Sequence, residues 1–286
     1  ATLRLRYKRT HMTIFDKFNL KDRVAVVTGG GGQLGYEFCK TLAEAGAAVV
    51  AADLNMELAA QTATRLSESG HTAMPFPLDV TRLESTRDLV AETVKRFSRL
   101  DILVNSAALD PKFDPTAAEK GIAPGAFEDY PLADWQAALN VNLTGMFLTT
   151  QACVKQLVSQ GKKGSIINIC STYGLNGPDQ RIYIKDGKRV AYKPVYYTTT
   201  KAGVMGFTKY LAAYYAETEI RVNALTPGGV YNNHEEYFVK NYSARTILGR
   251  MANKDEMNGA LLFLASDASS YMTGNNVIVD GGWTAW

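Results

Sequence analysis

The chain has 286 residues, of which 46% are hydrophobic and 21% charged, with a formal net charge of +3. That composition belongs to an ordinary folded globular protein and excludes a disordered chain, and no apolar run approaches the ~20 residues a membrane span needs. Four basic residues, Arg4, Arg6, Lys8 and Arg9, lie in the acid-free first eleven residues; without them +3 becomes −1, so no basic face for nucleic acid is left.

Residues 1–19 read as a basic leader, an expression leader or an alternative start, and the fold is expected over 20–286 as one α/β domain. No secretory signal precedes it, so a cytoplasmic protein is expected. Cys39, Cys153 and Cys170 are an odd set embedded in apolar segments and are expected as buried free thiols. His11, His71 and His234 have no ligand spacing, so no metal site is expected.

From Arg23 onward short apolar runs alternate with longer amphipathic ones. VAVVTG leads into GGGGQLG, Gly29 to Gly35, and then a helix through Ala45. Glycines allow a tight turn and close approach to a pyrophosphate, and a helix N-terminus meets its charge. Gly30, Gly32 and Gly35 satisfy G-x-G-x-x-G. AAVVAAD ends at Asp53, where a carboxylate can accept from the adenosine ribose hydroxyls and repel a 2′-phosphate, which favours NAD over NADP. Its alternative is to cap the helix from Met56 to Glu68. TAMPFPLDV, a helix over Leu83–Phe97 and DILVNSA follow, the last ending a strand at Asn105.

A long loop over 106–131 precedes a helix predicted over Asp134–Ser159, which contains Asn142. SIINICS closes at Ser171. The segment 178–193 then reads as a charged hairpin around Asp186-Gly187 that projects from the rim of the cleft. In the next helix, Tyr197 to Ala216, Tyr197 and Lys201 are four apart and share a face, and the ammonium is expected to lower the phenol pKa so that the tyrosine can exchange a proton with an alcohol. Tyr36 and Lys40 repeat the spacing, but there a surface helix pair is expected. IRVNALTPG, a loop, a helix over Asp255–Ser266 and NNVIVDGG complete the chain. Short apolar runs that do not alternate suit strands buried on both faces, so the fold class is α/β, a doubly wound parallel sheet of about seven strands. Ligands of such sheets bind beyond the strand carboxyl ends.

The ordered set of glycine loop, Asp53, Asn105, Asn142, Ser171, Tyr197 and Lys201 resembles the short-chain dehydrogenase/reductase family, over nearly everything from Leu20 onward. The resemblance implies a Rossmann-type domain, an NAD-dependent oxidoreductase acting on a hydroxyl or carbonyl carbon, and a homotetramer or dimer. It implies Tyr197 as general acid or base, Ser171 as holder of the substrate oxygen, Lys201 on the nicotinamide ribose and Asn142 as anchor of a water. It further implies cofactor contacts from Gly29, Gly32, Gln33, Leu34, Gly35, Asp53, Asp79, Val80, Asn105, Ala107, Tyr197, Lys201, Pro227, Gly228 and Val230. Gln33 stands where the family has its middle glycine, and Ala108 where N-N-A-G has its last.

The separation of Ser171 and Tyr197 is about twice the family's usual one, so the hairpin is expected to line or cover the substrate. Arg181, Tyr183, Asn232, Asn233, His234 and Lys112 are expected to form a polar rim suited to a polyhydroxylated small molecule. A narrower resemblance, carried by the long insert, PGGVYNN and VDGGWTAW, is to dehydrogenases of bacterial surface-sugar pathways such as legionaminic acid and flagellin glycan biosynthesis. It implies a sugar, sugar phosphate or nucleotide-sugar substrate; the alternatives are a 3-oxoacyl-type ketoreductase and a non-catalytic NAD-binding sensor or scaffold on the same fold.

Overall fold

A computed structural model of the chain describes residues 13–110 and 124–286. Seven strands form one sheet: β1 (Val24–Thr28), β2 (Ala48–Asp53), β3 (Ala73–Pro77), β4 (Ile102–Asn105), β5 (Gly164–Ile169), β8 (Ile220–Pro227) and β9 (Asn276–Val279). Their spatial order is β3-β2-β1-β4-β5-β8-β9, and every pairing is parallel. Pro75 and Pro77 sit in β3, at the sheet edge, where a missing N–H is tolerated.

The apolar runs are continuous because both faces of the sheet are covered. Ala25, Val27, Val49, Ile102 and Ile167 face a core with Phe38 and Leu42 of α1 (Gln33–Glu44) and Leu261 and Leu264 of α8 (Asn258–Ala265). The alternate residues Val26, Val50, Leu103, Ile166 and Val222 pack against Leu89 of α3 (Leu83–Phe97), Leu157 of α5 (Met146–Gln160) and Leu211 of α6 (Val195–Tyr214). Helix α2 (Met56–Glu68) completes the first crossovers. The three cysteines are free and buried. Among the described residues no helix is long and apolar enough to cross a membrane.

Three elements differ from the sequence reading. The helix predicted over Asp134–Ser159 is interrupted: α4 (Leu132–Leu139) passes through a π-helical turn, Asn140–Gly145, before α5 begins. Asn142 lies in that turn. The loop after β8 contains α7 (Glu236–Ser243), a helix too short to stand out by periodicity.

The hairpin is reduced to two-residue strands, β6 (Ile184–Lys185) and β7 (Lys188–Arg189), joined by Asp186 and Gly187 at φ of 50° and 75°. Its predicted first strand is instead a 3-10 turn, Gln180–Tyr183, capped by Asp179, because Ile182 and Tyr183 are drawn inward. With Ala191 they join Tyr173, Tyr242, Met251 and Trp283 in a separate buried cluster. The insert therefore packs down onto α7 and the C-terminal segment, and does not project as expected.

Candidate functional site

Because the strands are parallel, the segments leaving β1, β2, β4, β5 and β8 emerge at one edge of the sheet. The glycine turn after β1 is packed as tightly as a backbone can be: a Cβ on Gly35 would stand 1.9 Å from the Gly29 carbonyl oxygen. Gly31 N–H donates to Asp53 Oδ2 at 3.0 Å, and Asn55 N–H donates to Asp53 Oδ1 at 3.0 Å. The cap of α2 is Asn55, whose Oδ1 accepts from Glu57 and Leu58, so Asp53 does not serve as that cap. Each Asp53 oxygen keeps accepting capacity beyond its backbone bond. The first N–H groups of α1, from Gln33 onward, lack intrahelical partners and form the positive end of the helix. A bare glycine cradle, a helix N-terminus and a carboxylate at the end of β2 fit a nicotinamide dinucleotide.

Gln33 puts a side chain where a glycine was expected, and its Nε2 donates to Tyr231 O at 2.9 Å, tying the glycine turn to the segment after β8. Leu34 packs against the first core. Gly32 caps α1 at its start. Asp79 accepts from the Thr81 N–H and hydroxyl, forming a turn that sets Val80 against Gly145. Ala107 N–H donates to Thr28 Oγ1 at 3.0 Å and its backbone lies against Gly29.

Asn105, expected at the cofactor, ends β4. Its side chain is buried and donates to Thr150 Oγ1 and Asn168 Oδ1, each at 2.9 Å, so its amide hydrogens are spent inside the protein. Pro227 ends β8 and is buried; after it Gly228 N–H donates to Val279 O, Gly229 N–H donates to the Tyr242 hydroxyl and Val230 bridges to Ala252.

Ser171 follows β5 and caps a 3-10 turn, Thr172–Gly174. This turn lies directly on α6: a Cβ on Gly174 would meet Lys201 O at 2.6 Å and Cys170 Sγ at 2.7 Å. That close approach places Ser171 beside the tyrosine helix, near enough for its hydroxyl to favour the Tyr197 phenolate, while the same hydroxyl oxygen accepts from Tyr173 N–H at 3.2 Å. Lys201, one turn on, is buried, donates from Nζ to Ile169 O at 2.9 Å, and has Nζ 5.8 Å from the Tyr197 ring centroid. Asn142 accepts from Leu109 N–H at 2.7 Å and donates to Thr200 Oγ1 at 3.2 Å, linking the segment after β4 to the tyrosine helix.

The electrostatics depart from the sequence reading. Burial pushes the Tyr197 phenol up, the charge of Asp110 pushes it further, and the Ser171 hydrogen bond only partly offsets them. Burial likewise holds the Lys201 ammonium below its ordinary value. The expected lowering of the phenol does not occur: the phenol is desolvated, and desolvation penalises the phenolate.

Two charged residues at this centre escaped sequence reading. Lys193 Nζ lies 3.8 Å from the Tyr197 ring centroid and 2.7 Å from Asp110 Oδ1. Their positions follow no helical or strand period, and only the Lys193-Pro194 pair at the helix start hints at a fixed direction. Tyr173 meets Tyr197 edge-on at 6.4 Å, with Trp283 behind it at 6.1 Å.

The expected polar rim is only partly present. Tyr183 is in the buried cluster, and Arg181 is paired with Asp179 at 2.8 Å. Asn232 and Asn233 are exposed, and His234 is half-buried with its ring stacked on Phe238 at 5.1 Å. Lys112 lies outside the described residues. Tyr36 and Lys40 remain a helix-surface pair, engaged by Arg65 and Glu44 respectively.

Residues 32–284 match the family described as Enoyl-(Acyl carrier protein) reductase. The chain is 36% identical over 275 residues to the Short chain dehydrogenase/reductase astE of Aspergillus oryzae, covering 93% of this chain and 96% of the relative. It is 32% identical over 278 residues to the 2-dehydro-3-deoxy-D-gluconate 5-dehydrogenase of Escherichia coli, covering 95% and 99%. A gluconate 5-dehydrogenase from Burkholderia cenocepacia, solved with NADP and tartrate, superposes with a TM-score of 0.82 at 32% identity, covering 96% of this chain and 100% of that one. With a superposable fold and this similarity over nearly its whole length, the chain belongs to the short-chain dehydrogenase/reductase family and is an oxidoreductase.

Proposed function

We propose that the chain oxidises a secondary hydroxyl of a polar, sugar-type small molecule, with NAD as hydride acceptor. The observation that carries this reading is the meeting of Ser171, Tyr197 and Lys201 at the sheet edge that also holds the glycine turn. Gly29, Gly32, the backbone of Gln33 and Leu34, and Gly35 would hold the pyrophosphate. Asp53 would take the adenosine ribose, Asp79 and Val80 the adenine side, and Ala107 and the Pro227, Gly228 and Val230 segment the nicotinamide side. Asn105 would contribute through its backbone or by supporting β4. When bound, the nicotinamide supplies the acceptor for the hydride.

Ser171 orients the substrate oxygen by a hydrogen bond. Tyr197 takes the hydroxyl proton as the carbonyl forms, or returns it in the reverse direction. Lys201 retains two N–H donors beyond its bond to Ile169, enough to reach the ribose and to favour the phenolate. Asn142 positions Tyr197 and Lys201 by fixing the start of α6.

Preference for NAD rests on Asp53, where a 2′-phosphate would meet a carboxylate, and on Asn55, which is committed to its helix cap. A sugar-type substrate is supported by the gluconate-oxidising relatives and by polar groups at the cleft. The narrower assignment to surface-sugar pathways rests on the insert and the two end motifs alone. A dimer or tetramer belongs to the same reading, with Phe147, Val158 and Tyr210 as exposed apolar surface on α5 and α6.

Substituting Tyr197→Phe tests the chemistry. Turnover is expected to fall by about 10²- to 10⁴-fold, as for loss of a general acid–base group, while NADH titration stays within a few-fold. Retained turnover in Tyr197→Phe would remove the proposal.

A further inference from the structure

Lys193 ends the insert, immediately before Pro194 starts the tyrosine helix. Its side chain is only 10% exposed, yet its Nζ reaches the face of the Tyr197 ring at 3.8 Å and lies 5.9 Å from the Tyr173 ring. Its main chain is clamped on both sides by one amide: Lys193 N–H donates to Gln180 Oε1 at 2.9 Å, and Gln180 Nε2 donates to Lys193 O at 3.1 Å. Three other cations of the insert are engaged elsewhere, and Lys188 is exposed at the hairpin turn. Arg181 holds Asp179, Lys185 holds Glu235, and Arg189 donates to Gln180 O and lies over Tyr192.

The counter-ion of Lys193 is Asp110, on the segment after β4, with a side chain 65% exposed. A nearly buried ammonium requires a negative partner, because leaving it unpaired is far more costly than pairing it. One half of this pair is held by the fold, and the other half is a carboxylate whose side chain is largely exposed to solvent. Any oxyanion carried by a molecule at Tyr197 can take the place of the Asp110 carboxylate without burying a new charge.

We propose that Lys193 is the specificity residue for acidic substrates: its ammonium binds an oxyanion on the substrate near the reacting carbinol, and Asp110 occupies that position in the substrate-free protein. The inference rests on Tyr197 being the acid–base residue, as proposed above. Carboxylate and phosphate share this chemistry, and the test separates them.

The full chain with NADH is titrated calorimetrically with D-gluconate, its neutral amide D-gluconamide, and inorganic phosphate. Wild type is compared with Lys193→Met, Lys193→Arg and Asp110→Asn. An anion is expected to bind wild type more tightly than gluconamide does, and Lys193→Met to weaken it by about tenfold to a hundredfold, the worth of one charge-assisted hydrogen bond. Lys193→Arg should largely retain the anion, and Asp110→Asn should bind it more tightly than wild type because the internal competitor is gone. Preference for gluconate assigns a carboxylate, and preference for phosphate assigns a phosphorylated substrate.

Anion binding that Lys193→Met leaves unchanged overturns the proposal. So does the lack of anion binding by both wild type and Asp110→Asn up to tens of millimolar. If NADH binds and Tyr197→Phe loses turnover while these titrations fail, only the role of Lys193 falls. If NADH does not bind at all, the oxidoreductase reading falls and this proposal with it.

Discussion

Burial is the largest influence on the Tyr197 phenol and raises its pKa, and Ser171 offsets only part of it. Asp110 adds to the opposition, so its removal has a predictable sign. Alcohol oxidation needs the phenolate, and the rate should therefore rise with pH through the tyrosine pKa. Asp110→Asn removes a charge that raises that pKa, so the rising limb of kcat/KM against pH should move to lower pH. The measurement is the profile of the two proteins with one alcohol substrate; coincident limbs would mean that the Asp110 charge does not reach the phenol. At this scale the sequence made Tyr197, Lys201 and Ser171 legible, since helical spacing and a strand end place them. Lys193 and Asp110 were not legible, because they are 83 residues apart and meet only through two loops. The internal bonds of the Asn105 amide to Thr150 and Asn168 were not legible either: a strand-end position says which residue reaches the edge, not where its side chain turns.

The glycine turn and α1 act as one element. A Cβ on Gly35 at 1.9 Å from a carbonyl oxygen is a backbone collision that no rotamer relieves, so α1 would have to move off the turn. Gly35→Ala is expected to cost about 1–3 kcal/mol of stability, as overpacking does, and to weaken NADH binding by more than about tenfold. Urea unfolding and a fluorescence titration measure the two effects, and an NADH affinity equal to wild type would show that the turn does not depend on this contact. The insert makes the complementary point. Asp186-Gly187 was readable as a turn because positive φ selects such residues. The strands around it were not, since Ile182 and Tyr183 obey a tertiary demand, burial against Tyr173 and Tyr242, that overrides local strand preference. The π turn at Asn142 escaped for a similar reason: its side chain is held by Leu109 and Thr200, partners no periodicity reveals.

For the whole molecule, anything that binds the folded chain alone stabilises it. NADH at about a hundredfold over its Kd should add about 2.7 kcal/mol, a rise in Tm of roughly 5–10 °C for a chain of this size. NADPH at the same concentration should give a smaller rise if Asp53 selects the cofactor; an equal or larger one would reverse the assignment to NAD. The sequence by itself determined the parallel sheet, its helical covers and the turn after β1. Strands buried on both faces must be written as unbroken apolar runs, and a phosphate-sized approach must be written in glycine. Only the tertiary structure decided that Asn105 is spent internally, that the insert folds down onto α7, and that a second ammonium rests on Tyr197. Those outcomes depend on which distant segments close upon one another, and loop closure leaves no periodic trace in the chain.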